Sequence, residues 1–164
     1  MRIAIDLQSC ETDSRDRGIG RYSMSLLSAL SGLTREDELV ICLDMADKQR
    51  LRDVRNQLRI RNIKGQSAVY GYPTSRVTES SLDQWQTAGQ LRTQFFKSIE
   101  PDVVLITSHF EFGMFYSTAL DWSRQSDVPT AVVAYDLIPL LFPERYLPKE
   151  TSISNWYHKK LEEF

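Results

Sequence analysis

Short runs of apolar residues, each bounded by polar residues, recur along the chain and predict buried strands. The runs are continuously apolar and do not alternate with polar residues, which is typical of strands covered on both faces. Between the runs, apolar residues recur at helical spacing. The predicted strands cover residues 2–7, 38–43, 67–72, 102–108 and 130–136. The predicted helices cover residues 20–33, 46–58, 82–99 and 118–124, and a further helix begins at residue 151.

The alternation of strands and helices predicts an α/β fold, a Rossmann-like parallel sheet with helices on both faces. We expect one domain, residues 1–164, because no repeat or linker divides the chain. The polar residues 9–17 predict a loop, and prolines punctuate the connection that follows residue 136. Ligands of such folds bind outside the carboxyl ends of the strands. The segments to examine are therefore residues 8–22, the turn after residue 43, residues 108–115 and residues 135–144.

Composition and charge narrow the class of protein. The net charge of -2 gives no general signal for nucleic acid. Cys10 and Cys42 have neither CxxC nor zinc spacing and there are two histidines, so we expect no metal site. The cysteine usage is typical of a reducing cytosol. No apolar run approaches the roughly 18 residues that span a bilayer.

The stretch "RDRGIGRYS" carries the first candidate site. Gly18 and Gly20 precede a helix, where they would let the backbone approach a phosphate that the free N–H groups and the helix dipole attract. Arg17 and Arg21 would add positive charge. The alternative is a glycine turn that starts a helix, with solvated arginines. A dinucleotide fingerprint is disfavoured, because Ser23 stands where the third glycine belongs and the loop after the strand is too long.

Two further pairs follow predicted strands. His109 and Glu111 lie beside aromatic residues, a combination that suits a sugar because hydroxyls bind carboxylates and C–H faces stack on rings. The alternative for His109 is a structural histidine. Tyr135 and Asp136 end the last predicted strand, where catalytic groups collect, and the alternative is an aspartate that caps a turn before Pro139.

A basic run spans residues 48–64, with six arginines and lysines between Arg50 and Lys64 and only Asp47 and Asp53 as acids. It indicates either a solvated helix face or a patch for an anionic membrane surface or a charged acceptor.

Five stretches, taken in order, carry a resemblance to a known family. They are "MRIAIDLQ", "RGIGRYSMSLLSAL", "PDVVLITSHFEFG", "VVAYDLIPLLFPERYL" and "WYHKKLEEF", and "YDLIPLLFPERYL" is the most specific. Together they resemble the N-terminal half of GT-B glycosyltransferases of the group 1 (GT4) type. The nearest likeness is to the bacterial mannosyltransferases that build O-antigen and related polysaccharides, and it covers nearly the whole chain.

The resemblance implies a two-domain enzyme with facing Rossmann-like halves. This chain would be the acceptor-side half, inactive alone, while the C-terminal domain that binds the nucleotide sugar is absent from it. The implied reaction transfers a hexose, mannose from GDP-mannose, to a glycan or lipid-linked acceptor with retention at the anomeric carbon. It needs no metal or other cofactor. The implied location is cytoplasmic, with peripheral contact at the inner membrane face through residues 48–64.

The resemblance also assigns roles to the glycine loop. Backbone N–H groups at Gly18 and Gly20 would face the diphosphate across the cleft, with electrostatic help from Arg21. We therefore expect Gly20→Val to lower turnover far more than it lowers folding stability.

The same resemblance places His109 and Glu111 in the acceptor or sugar pocket. Tyr135–Asp136 stands where many relatives have a His–Asp pair. A phenol can hydrogen-bond a sugar hydroxyl but cannot serve as the same base at neutral pH, so the resemblance implies an orienting role for Tyr135.

Two other functions stay open on the sequence. One is a stand-alone sugar-binding or nucleotide-binding module without catalysis. The other is a nucleotide-dependent oxidoreductase, in which Asp44 at the end of the second strand would mimic the acid that binds a ribose.

Overall fold

The computed structural model describes residues 1–33, 36–45, 47–71, 82–110, 126–135, 137–149 and 151–162. The strands within these ranges are β1 (Arg2–Asp6), β2 (Glu38–Asp44), β3 (Gln66–Tyr70), β4 (Val103–Ile106) and β5 (Thr130–Val132). The helices are α1 (Gln8–Glu11), α2 (Gly18–Leu33), α3 (Lys48–Ile60), α4 (Leu82–Ile99), α5 (Ile138–Leu141), α6 (Pro143–Tyr146) and α7 (Ser152–Leu161), with a 3₁₀ turn at Asp13–Asp16.

The described strands form one sheet in the order β3-β2-β1-β4-β5, and every neighbouring pair is parallel. From β1 the chain builds outward through β2 to β3. It then crosses back through α4 to β4 on the other side of β1. The strand order therefore reverses between β1 and β4, where the carboxyl ends of a parallel sheet leave a crevice. The predicted α/β class with a Rossmann-like parallel sheet is confirmed.

Alternate strand residues point to opposite faces of the sheet, and both faces are covered. On one face, β1 and β2 residues such as Ile5 and Ile41 pack against α2 and α3. On the other face, β-strand residues such as Ala4 and Val104 pack around Phe96 of α4. Burial on both faces explains why the strands read as continuously apolar runs.

The polar loop expected at residues 9–17 is wrong. This segment contains most of α1 and the whole 3₁₀ turn, and Ser9, Cys10 and Glu11 are buried. Thr12 caps the 3₁₀ turn by accepting a hydrogen bond from the Ser14 backbone N–H. Arg50 of α3 donates to the Glu11 carbonyl at 3.0 Å. The polar side chains therefore bond within the protein, which composition alone does not reveal.

The proline-punctuated connection predicted after residue 136 contains secondary structure. It holds α5 and α6, with Pro139 and Pro143 in their first turns, where a proline's missing N–H is no loss. The last strand ends at Val132, so Tyr135 lies beyond it. The helix predicted at residues 118–124 lies outside the described residues.

Candidate functional site

The crevice at the reversal point is bordered by the ends of β1 and β4 and by the start of α2. A run of hydroxyl groups ties these elements together. Ser9 Oγ donates to Ser23 Oγ at 2.9 Å, and Ser23 Oγ donates to the Thr107 carbonyl at 3.4 Å. Thr107 Oγ1 donates to the Asp6 carbonyl at 2.7 Å. These bonds fix α2 against the carboxyl edge of the sheet, so its N-terminal amides lie at that edge.

The two glycines at the start of α2 have different surroundings. A Cβ added to Gly18 would meet nothing within 4 Å, so the first turn of the helix is open there. A Cβ added to Gly20 would lie 2.5 Å from Arg15 Cα and 2.5 Å from the Ser14 carbonyl oxygen. Gly20 therefore allows the 3₁₀ turn to pack directly on α2. The position that a side chain would occupy at Gly20 is filled by the backbone of that turn.

The two candidate arginines do not point into one site. Arg17 is exposed immediately before α2. Arg21 lines a cavity of about 480 Å³ between α2 and α3, together with Arg15 and Asp53, which pair at 3.2 Å. Neither Arg17 nor Arg21 has an ion-pair partner among the residues that the structure describes.

Tyr135 packs against the first turns of α2. Its ring meets Tyr22 edge to face, with the ring centroids 5.3 Å apart and an interplanar angle of 86°. The Tyr135 hydroxyl is buried and has no hydrogen-bond partner among the residues that the structure describes. Burial, above all, raises the pKa of Tyr135; the nearby Ser23 hydroxyl opposes the rise without reaching hydrogen-bond geometry. The phenol is therefore protonated at neutral pH and can orient a hydroxyl rather than act as a base.

His109 is buried at the end of β4 and contacts the last described helix. Its Nε2–H donates to the Lys160 carbonyl at 2.9 Å, and Phe110 stacks on Tyr157 with centroids 5.0 Å apart. Burial and then the Lys160 charge lower the pKa of His109 to about 4, so the ring is neutral at pH 7. This arrangement supports the structural alternative for His109. Glu111 and Asp136, the two carboxylates paired with these residues in the sequence, lie outside the described residues.

A buried cluster of charged groups at the ends of β1 and β2 escaped the sequence analysis. Arg92 of α4 and Asp6 form an ion pair with Nη2 and Oδ2 2.7 Å apart, and both side chains are almost completely buried. Both carboxyl oxygens of Glu11 accept from the Asp44 backbone N–H, at 2.9 and 3.0 Å. Asp44 itself is buried. The available signal in the sequence was an aspartate at the end of an apolar strand, as at Asp6 and Asp44. The partners of such a residue come from distant segments of the chain, so the sequence did not reveal the cluster.

Burial also raises the pKa of Glu11, from 4.5 to about 9. Folding therefore favours the protonated carboxyl, and the stability that this group contributes is complete below about pH 4.5 and is lost as the pH rises towards about 9. We expect Glu11→Gln, which cannot ionise, to match the wild type at about pH 5 and to exceed its free energy of unfolding increasingly towards about pH 8. Urea unfolding at several pH values measures this difference.

The exposed carboxyl of Glu144 provides the control for this experiment. Glu144→Gln removes an exposed carboxyl and should change the free energy of unfolding by no more than about 0.5 kcal/mol. A Glu11→Gln curve that stays parallel to the wild type would contradict a protonated Glu11 in the folded chain.

A second cavity lies away from the start of α2. A cavity of about 830 Å³ lies at the amino ends of β2 and β3, beside Ser31 and Lys64. It is larger than the α2–α3 cavity but lies at the sheet edge opposite the crevice, so size alone does not mark the site. Among the described residues, no group of three or more histidine, cysteine, aspartate or glutamate side chains could hold a metal ion. Their helices include none that is long and apolar enough to cross a bilayer.

The chain is similar to the serotype-specific mannosyltransferase WbdA of Escherichia coli. The two sequences are 30% identical over 170 positions, which cover all of this chain and 20% of WbdA. The chain thus spans about a fifth of the length of this curated relative. No protein-family model and no solved structure matches the sequence. The similarity supports a relationship to the glycosyltransferases.

Proposed function

We propose that this chain is the acceptor-side, N-terminal domain of a retaining GT-B glycosyltransferase of the GT4 family. The proposed reaction moves a hexose, mannose from GDP-mannose, to a glycan or lipid-linked acceptor in polysaccharide synthesis. The observation that carries the proposal is the similarity to a mannosyltransferase along the entire chain. The reversal of strand order beside an open helix start supports it, because such crevices bind nucleotides and sugars in α/β folds.

The start of α2 supports a role in stabilising the leaving group. Transfer requires that negative charge developing on a departing nucleoside diphosphate be stabilised. The first turn of α2 offers N–H groups that have no intrahelical partner and the positive end of the helix dipole, with open space at Gly18 and an exposed Arg17 beside it. We assign this diphosphate contact to Gly18 and Arg17. Gly20 acts indirectly, by allowing the 3₁₀ turn to hold the helix start in place.

The sugar side of the proposed site lies at Tyr135. Its protonated hydroxyl would orient a sugar hydroxyl, and Tyr135 would not accept a proton from the sugar. Asp136 and Glu111 remain proposed catalytic and sugar-binding groups on the strength of the resemblance. His109 would position the end of β4 through α7.

Exposed apolar side chains in α5, in α6 and in the residues that flank α5 support a partner domain. They are Leu137, Ile138, Leu140, Leu141, Phe142 and Tyr146, and Leu141 is 73% exposed. A contiguous patch of exposed apolar side chains is typical of a surface that binds a partner. We propose that the C-terminal, nucleotide-sugar-binding domain covers this segment, and that residues 1–164 alone do not catalyse transfer.

The basic run supports the proposed location. Arg52, Arg55, Arg59 and Arg61 are exposed along α3 and its end. Such a face is attracted to anionic lipid headgroups. We propose a cytoplasmic protein that contacts the inner membrane face through residues 48–64.

The experiment is a transfer assay with labelled GDP-mannose and an α-mannoside acceptor. It compares the 164-residue chain with the complete product of its gene, and UDP-glucose serves as the control donor. We expect transfer from GDP-mannose by the complete product and none by residues 1–164. Binding of mannosides without transfer from either donor would favour the stand-alone binding module instead.

A further inference from the structure

An aromatic side chain outside all of the predicted site residues borders the crevice. Tyr22 lies on the second turn of α2 and is 50% exposed, although its neighbours Ser23 and Met24 are buried. Its ring is held in place by the edge-to-face contact with Tyr135. That contact joins α2 to the chain beyond β5, so the two rings form a fixed corner at the carboxyl edge of the sheet.

The hydroxyl at the base of this corner has no hydrogen-bond partner within the described ranges of the chain. Tyr135 Oη is buried, and none of the described residues forms a hydrogen bond with it. A buried hydroxyl left in this state costs free energy. The nearby Ser23 hydroxyl accepts from Ser9 and donates to the Thr107 carbonyl, and its position does not complete a hydrogen bond with Tyr135 Oη. A ligand hydroxyl would restore the missing bond of Tyr135.

We propose that Tyr22 and Tyr135 form a binding wall for one hexose ring of the acceptor. The C–H face of the sugar packs on the exposed Tyr22 ring, and a sugar hydroxyl bonds to Tyr135 Oη. An exposed ring beside a buried, unsatisfied hydroxyl matches the two kinds of surface that a pyranose offers, which are an apolar face and an equatorial or axial hydroxyl. The inference rests on the proposed function and adds Tyr22 as a specificity-determining residue of its acceptor site.

The test is an NMR titration of the ¹⁵N-labelled 164-residue chain with methyl α-D-mannopyranoside and an α-linked mannobiose. We expect the amide shifts to concentrate at residues 18–23 and 133–135. Tyr22→Ala should weaken binding about tenfold, while Tyr22→Phe, which keeps the ring, should bind within about twofold of the wild type. Tyr135→Phe should weaken binding about fivefold, because it removes the hydroxyl alone.

Leu33→Ala is the control, because Leu33 is also an exposed apolar side chain of α2 but lies at the far end of that helix. It should bind like the wild type. The amide spectrum of each variant reports whether it is folded, and Tyr22→Phe keeps the test decisive if Tyr22→Ala does not fold. The proposed binding wall would be contradicted by mannoside-induced shifts that avoid both tyrosines. Equal mannoside affinity of Tyr22→Ala and the wild type would also contradict it.

The complete gene product separates this inference from the proposed function. Where the wild type transfers mannose, Tyr22→Ala should raise the acceptor KM about tenfold with a smaller change in kcat. Transfer by Tyr22→Ala with an unchanged acceptor KM would contradict the proposed binding wall, while the proposed transferase function would still hold. If the wild type binds mannoside but transfers no sugar, and Tyr22→Ala abolishes that binding, the binding wall is supported and the proposed transferase function is contradicted.

Discussion

Replacing Gly20 with alanine is expected to lower the free energy of unfolding by about 3 kcal/mol or more. The new Cβ would lie 2.5 Å from Arg15 Cα, 2.5 Å from the Ser14 carbonyl oxygen and 2.7 Å from the Arg15 carbonyl oxygen. All three are backbone atoms and cannot rotate away as a flexible side chain would. The 3₁₀ turn must therefore separate from α2, and urea unfolding of the 164-residue chain measures the loss.

Gly18→Ala is the matched control, two residues away in the same helix. Its Cβ meets nothing within 4 Å, and alanine is the better helix former, so stability should be unchanged or slightly higher. Equal stability of the two variants would contradict the close packing at Gly20.

This geometry reverses the expectation drawn from the sequence for Gly20→Val. Folding, rather than turnover alone, should suffer, since valine is larger than the alanine that already collides. The test of backbone approach to a phosphate moves to Gly18. In the complete gene product, Gly18→Val should lower transfer while leaving the unfolding curve close to that of the wild type.

The second large effect is expected for Arg92→Met, at about 3–5 kcal/mol of destabilisation. Arg92 and Asp6 are 2% and 0% exposed, and their charged atoms lie 2.7 Å apart. Methionine has similar bulk but no charge, so the Asp6 carboxylate would stay buried without its partner. Thermal or urea unfolding at neutral pH measures the loss.

Two further variants identify the cause. Asp6→Asn combined with Arg92→Met removes both charges and should recover part of the stability lost in Arg92→Met. Arg15→Met removes one member of a solvated ion pair with Asp53 and should have a far smaller effect. A double variant less stable than Arg92→Met would show that charge burial is not the cause.

Helix α3 illustrates how far the sequence pattern reaches. Leu51, Val54 and Leu58 repeat at helical spacing within the helix predicted at residues 46–58, and all three are buried against the sheet. The pattern was sufficient here because the helix is covered on one side only, so apolar residues and burial coincide.

Helix α2 shows where that reasoning fails. Tyr22 and Leu33 fit the apolar spacing, but both are exposed, and the buried stripe is Gly20, Ser23, Met24 and Leu27. Ser23 is buried because Ser9 and Thr107 satisfy its hydroxyl, and these residues come from other segments. Sequence spacing cannot count hydrogen bonds to partners that only folding brings near.

The residues of the candidate site also divide into those that the sequence could place and those that only tertiary contacts place. The sequence placed Gly18, Arg17 and Tyr135 after strand ends, and parallel pairing gathers such ends at one edge. It could not place Arg21, which the turn of the helix directs towards α3, or find Tyr22, whose ring meets Tyr135 only through tertiary contact.

The sequence by itself determined the class of fold, because continuously apolar strands alternating with amphipathic helices bury their surfaces well only as a covered parallel sheet. Tertiary structure alone decided the ion pair of Asp6 with Arg92, the protonation of Glu11 and the direction in which Gly20 faces. Each of these depends on groups far apart in the chain, whose interaction energy is set by distance and burial. Local sequence specifies neither quantity.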